Sequence, residues 1–111
     1  MFKGLGDLTN LMKNARDIQG KVEGLKQSLA QTPVEGSAGG GMVKIQGRGD
    51  GTVTAVVFDE GMVAKGDKAM LEDLTQSALH AYQEKVNEAR KEKLSELTGG
   101  LNLPPGFDFG L

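Results

Sequence analysis

The chain has 111 residues, a formal net charge of −2 and a sequence pI near 5.4, so it is sized for one domain and carries no overall basic field. Its 17 glycines, 5% aromatics and missing tryptophan leave little bulky material for a deep core. With no cysteine, one histidine and no apolar run near the roughly 18–20 residues that span a bilayer, the sequence excludes a disulfide scaffold, a thiol nucleophile, thiolate or multi-histidine metal sites and a membrane helix.

From about Asp7 to Gln31 the apolar residues fall at Leu8, Leu11, Ala15, Ile18, Val22, Leu25 and Leu29. The alternating steps of three and four predict a long helix with a heptad seam, capped by Asp7 and stopped by Pro33. Gly20 and Gly24 sit off that seam, either tolerated or admitting a close backbone approach. Pro33–Gly41 is turn-rich, with Val34-Glu35 as a short edge strand. Met42–Gln46 alternates with period two and puts Val43 and Ile45 on one face. Gly47–Gly51 is a turn with an Asp-Gly hairpin signal, after which Thr52–Phe58 returns as a β-branched strand. That strand is apolar on both faces near its end, so a second layer or a second subunit should cover it. A second long helix, from about Asp67 to Leu97, carries Leu71, Leu74, Ala78, Tyr82, Val86 and Ala89 as its stripe. Glu84, Glu88, Glu92 and Glu96 form an acidic ridge at i,i+4 spacing on another face. Gly99-Gly100 ends the helix, and residues 99–111 form a Gly- and Pro-rich tail without regular structure.

The order is helix, two or three strands, helix, within a single domain over residues 1–98. A helix of about 25 residues is about 37 Å long, whereas a compact 100-residue domain has a radius of gyration of about 13 Å. Two such helices must project beyond a small sheet. Their seams then lack partners within the chain, and a symmetric homodimer is expected to supply the missing surface.

Catalytic and ligand-binding patterns are weak. Gly39-Gly40-Gly41 is followed by a strand, not by Lys-Ser/Thr and a helix, so it reads as a loop and not as a phosphate cradle. Arg48-Gly49-Asp50 is a hairpin turn, since Met1-Phe2-Lys3-Gly4 shows no signal-peptide pattern that would suggest a cell-adhesion role. His80 lies opposite the apolar stripe and should be exposed, and the neighbouring carboxylates Asp59-Glu60 and Glu72-Asp73 read as surface charge. The reading is a non-enzymatic protein with no cofactor, no metal and no small-molecule substrate. Among basic residues, Lys13, Arg16, Lys21 and Lys26 stand on the first helix against three acids. Lys68, Lys85, Arg90, Lys91 and Lys93 stand on the second against seven. Lys13 and Arg16 lie opposite the seam, facing solvent, whereas Lys85 and Lys93 lie within or beside the thinning stripe. Composition alone gives no basic arm and no aromatic platform for single strands, which ranks a coiled-coil interaction role above duplex DNA binding.

Four pieces of the sequence, in order and at the right spacing, alter that ranking. Met1-Phe2-Lys3-Gly4-Leu5-Gly6 running to Leu11-Met12-Lys13 resembles the start of the YbaB/EbfC family of bacterial nucleoid-associated proteins. Gly40-Gly41-Met42-Val43-Lys44-Ile45 with its Gly-containing turn and Val-rich strand is similar to the family's sheet, and Met70-Leu71-Glu72-Asp73-Leu74 with Ala78 to the opening of its last helix. Leu103-Pro104-Pro105-Gly106-Phe107 looks like its C-terminal signature. The resemblance covers essentially the whole chain. It departs where Phe58-Asp59-Glu60-Gly61 replaces an Ile-Asp-Pro-like strand exit, and in the Glu84–Glu96 ridge, which would repel phosphate.

The resemblance implies an α+β fold: an α-β-β-β-α subunit with a small antiparallel sheet and two long projecting helices, paired into a tweezer-like homodimer. It further implies a cytoplasmic, nucleoid-associated protein that binds duplex DNA, with a part in chromosome organisation and gene regulation. The family's contacts are attributed to the helices, which makes Lys13, Arg16, Lys21, Lys26, Lys85, Arg90, Lys91 and Lys93 the candidate DNA-binding residues here, holding phosphates without reading bases. A coiled-coil interaction or chaperone-like scaffold is the alternative reading.

Overall fold

The computed structural model describes residues 5–98; the motifs at Met1–Gly4 and in the tail 99–111 lie outside the described residues. The elements are α1 (Leu5–Gln31), β1 (Pro33–Ala38), β2 (Val43–Arg48), β3 (Val53–Phe58), α2 (Glu60–Ala64) and α3 (Lys68–Thr98). The α-β-β-β-α layout is present, with the short α2 inserted before the last helix. Because α1 already begins at Leu5, Asp7 lies inside its first turn and does not cap it, since a cap must stand outside the helical path. Gly20 and Gly24 have no neighbour among the described residues within 4 Å of where a Cβ would stand, so no described element approaches them closely.

The sheet is antiparallel in the order β1-β2-β3. β1 is a full six-residue strand, longer than its turn-rich composition suggests, and pairs with β2 from Pro33 opposite Arg48 to Ala38 opposite Val43. Its glycine is there for packing. A Cβ on Gly36 would collide with the backbone of Tyr82 and the Ala78 carbonyl, so only glycine lets α3 lie this close to β1. Gly39, Gly40 and Gly41 all have positive φ and close the β1–β2 hairpin. In the β2–β3 turn the Thr52 N–H donates to Asp50 Oδ1 at 2.9 Å, an Asx-type closure.

α2 has too few residues to show a hydrophobic period; its one sequence signal is Asp59, whose Oδ2 accepts from the Met62 N–H at 3.0 Å. Met62 carries the burial of that helix. Asp67 does the same at the head of α3, its Oδ1 accepting from the Met70 N–H at 3.0 Å.

The core is one cluster of Val43, Ile45, Met62, Ala78, Tyr82 and Val86, joined at its margin by Val34, Ala38, Met42, Leu71 and Leu74. Tyr82, 2% exposed, is its largest member. Its hydroxyl lies 2.8 Å from the Arg48 carbonyl and 3.0 Å from the Thr52 carbonyl, which share its proton across the base of the β2–β3 turn. α3 runs antiparallel to β1, with Leu74 over Gly39, Ala78 and Tyr82 over Gly36, and Arg90 reaching Lys26 and Leu29 at the end of α1. The two long helices are therefore antiparallel neighbours near the sheet. The molecule measures 73 × 23 × 19 Å with a radius of gyration of 20.4 Å, against about 13 Å for a compact domain of this size.

Candidate functional site

The basic residues are set by the helix periods. All four on α1 (Lys13, Arg16, Lys21 and Lys26) are exposed, and none makes an ion pair among the described residues. On α3, Lys85 and Lys91 are exposed, whereas Arg90 and Lys93 are half-buried. Lys93 is 3.9 Å from Glu96, a loose pair that water weakens. Lys68 pairs with Glu72 at 3.6 Å, fully at the surface.

The two helices bring their cations together at one place. Lys26 and Arg90 line a cleft of about 280 Å³ with Leu29, Gly49 and Asp50. Gly49 closes it because its N–H donates to the Thr32 carbonyl at 2.8 Å, tying the turn to the end of α1. The Thr52 N–H holds the Asp50 carboxyl below its usual range, with the nearby Arg48 guanidinium acting in the same direction. Arg48 is thus a cation at this end of the molecule that the hairpin reading passed over; its one sequence signal was its place beside an Asp-Gly turn. Lys13, Arg16 and Lys21 lie farther out along α1 and do not line this cleft.

The acidic ridge is exposed at Glu84, Glu88 and Glu92. Its first member is engaged by the exposed His80, whose Nε2 is 3.1 Å from Glu84 Oε1. Asp59 serves as a helix cap, and Glu60, Glu72 and Asp73 are exposed. Among the described residues no charged side chain is buried, no three His, Cys, Asp or Glu side chains converge, and no helix is long and apolar enough to cross a membrane.

A second surface is apolar. Val56 stands opposite Ile45 and Phe58 opposite Val43, so both lie on the α3 side of the sheet. α3, however, packs over β1 and β2 and leaves β3 uncovered. Val56 and Phe58 are therefore 47% and 39% exposed, with Val53, Val63 and Leu79 also bare. On the opposite face Val57 is exposed too. Between β3 and α3 runs a groove of about 390 Å³ that includes Val53, Leu79, Gln83 and Val86 and ends at Arg90. The two-sided apolar pattern of the last strand thus corresponds to an edge strand with no layer on either face among the described residues.

With this geometry in place, the chain can be set beside known proteins. Residues 4–101 match the YbaB/EbfC DNA-binding family. A curated protein named as nucleoid-associated, from Desulfotalea psychrophila, is 37% identical over 103 residues, covering 93% of this chain and 97% of its own. The crystal structure of an uncharacterized protein from Helicobacter pylori superposes with a TM-score of 0.70 at 22% identity, covering 88% of this chain and 100% of that one, a likeness of fold.

Proposed function

The chain belongs to the YbaB/EbfC DNA-binding family, and from that premise we propose that it acts at the nucleoid as a homodimer holding duplex DNA through basic side chains of α1 and α3. The observation that carries the reading is that Lys26 and Arg90, one from each long helix, line one cleft with Asp50, while Lys13, Arg16 and Lys21, farther out on α1, are exposed with no carboxylate partner among the described residues. Lys13, Arg16 and Lys21 extend the basic surface outward along α1, and Lys85, Lys91 and Lys93 extend it along α3. Such contacts neutralise phosphates and fix position without reading sequence. The Glu84–Glu96 ridge faces away from the duplex in this arrangement, because carboxylates near phosphate would repel it. No side chain here is asked to do covalent chemistry.

Pairing of subunits is supported by the bare strand. An edge strand with exposed Val56, Phe58 and Val53 beside Leu79 is a surface that a monomer seldom leaves to water. The same patch on a second copy is self-complementary about a two-fold axis. A dimer places two pairs of helices on one body, doubling the cationic surface presented to a rod of phosphates. Part of gene regulation and chromosome organisation would follow from occupancy along DNA.

The test is charge reversal. Lys13→Glu with Arg16→Glu should weaken duplex binding at least tenfold in fluorescence anisotropy while sedimentation shows an unchanged dimer. Unaltered affinity would remove the outer half of α1 from the interface. Absence of duplex binding by the unaltered protein at low salt, with capture of a protein partner after nuclease treatment, would favour the scaffold reading instead.

A further inference from the structure

Leu8, Leu11 and Met12 of α1 are exposed, yet farther along the same helix Ile18 and Val22 are half-buried and Leu25 and Leu29 are buried. The change has a geometric cause. α3 runs antiparallel to α1 from Arg90, beside Lys26, to its end at Thr98. Those last eight residues advance about 12 Å, which brings the end of α3 level with Ile18. Beyond that level α1 has no cover among the described residues. Thr98 stands where the cover runs out, at the outward end of α3, so residues 99–111 need no reversal of the chain to reach Leu11 and Leu8.

The sequence of that segment fits the surface. Leu101, Leu103, Phe107, Phe109 and Leu111 all fall at odd positions, with Pro105 between them, whereas Asn102, Pro104, Gly106, Asp108 and Gly110 take the even ones. An extended chain with period two presents one apolar edge and one edge suited to water. Pro104-Pro105 cannot continue a helix and holds that stretch extended. The stretch of α1 from Ile18 to Leu5 spans about 20 Å, and extended chain covers that in about six residues at 3.3 Å each. The 13 residues available are ample. Tethering at Thr98 also gives this segment a high effective concentration at its own α1, ahead of any second molecule.

We propose that residues 101–111 pack in extended form along Leu8, Leu11 and Met12 of their own chain, apolar edge inward, and so brace the projecting end of α1. Met12 lines a shallow groove with Lys13 and Arg16, so these two cations stand at the rim of the seated segment, turned away from Leu8 and Leu11. The inference stands on apolar surface and chain reach, independent of DNA.

The chain has no cysteine, so a single Asp108→Cys replacement on the even, water-facing edge accepts one nitroxide spin label. In the full-length protein carrying both isotope and label, the amide signals of residues 8–12 should broaden while those of β2 do not. Adding Phe107→Ser and Phe109→Ser should restore them. A refolded mixture of isotope-labelled chains without nitroxide and nitroxide chains without isotope should show no such broadening. Sharp signals at residues 8–12 in the first sample would overturn the proposal. Broadening in the mixed sample would overturn it too, since the segment or its surface would then belong to a second copy.

Discussion

At the scale of single residues, Tyr82 ties three elements into one unit. Its ring fills the core beneath β1 and β2, and its hydroxyl bridges two carbonyls at the base of the β2–β3 turn. Gly36 and Gly47 leave room for it, since a Cβ on Gly36 would meet its backbone and one on Gly47 its hydroxyl. Tyr82→Phe keeps the ring and removes one donor, while the Arg48 and Thr52 carbonyls keep the N–H groups of Gly51 and Arg48, and should cost about 0.5–1.5 kcal/mol in urea denaturation. Burial raises the Tyr82 pKa above its ordinary 10.0, so ionisation is easier in the unfolded chain. Stability from this group is therefore complete below about pH 10 and is lost as pH rises through the higher folded value. Denaturation midpoints measured upward from pH 9 should fall for the unaltered protein and fall less for Tyr82→Phe. The role of Tyr82 as core was legible from its place on the α3 stripe, but its hydrogen bonds were not, because both acceptors are backbone atoms brought near only by folding. Gly36 shows the reverse difficulty: a glycine selected for close helix–sheet contact looks, in sequence, like a turn residue.

At the scale of elements, one heptad seam on α1 serves two environments. The seam from Leu8 to Leu29 is uniform in sequence, and its spacing correctly announced a long helix. Nothing in that spacing distinguishes the buried Leu25 and Leu29 from the exposed Leu8 and Leu11, because the difference depends on where α3 runs. Leu29→Ala should therefore cost about 2–5 kcal/mol of global stability, more than Leu11→Ala, both read from urea midpoints. The alternation of β2 was equally readable, with Val43 and Ile45 on the buried face. α2 was not, because a five-residue helix is shorter than the period that would reveal it. For the candidate site, the sequence displayed every cation but not their grouping. Lys26 and Arg90 lie far apart in the chain, and only the antiparallel run of α3 beside α1 places them at one cleft.

At the scale of the whole molecule, shape and surface point in the same direction. The body is 73 Å long, with helices extending from a three-stranded sheet, and β3 leaves Val53, Val56 and Phe58 exposed. Placing lysines there, as Val56→Lys with Phe58→Lys, should halve the mass seen by sedimentation, since two desolvated ammonium groups would face their symmetry copies. A dimer of unchanged mass would mean that pairing uses another surface. The net charge of −2 was the feature least suggestive of DNA, yet net charge averages over faces that a duplex does not see together. The four exposed cations on α1 and the exposed glutamates of α3 stand on different helices, so the overall charge does not describe the α1 surface alone.

The most direct measurement is a titration of the protein against a labelled random-sequence duplex by fluorescence anisotropy at several salt concentrations, beside Lys26→Glu with Arg90→Glu. Binding should saturate, and its logarithm should fall linearly with the logarithm of salt, by about 0.9 for each phosphate neutralised. The double variant should bind more weakly and show a shallower slope, by about 0.9 for each lost cation that held a phosphate. No binding at low salt, or a variant whose affinity and slope match the unaltered protein, would contradict a phosphate grip built on these two helices.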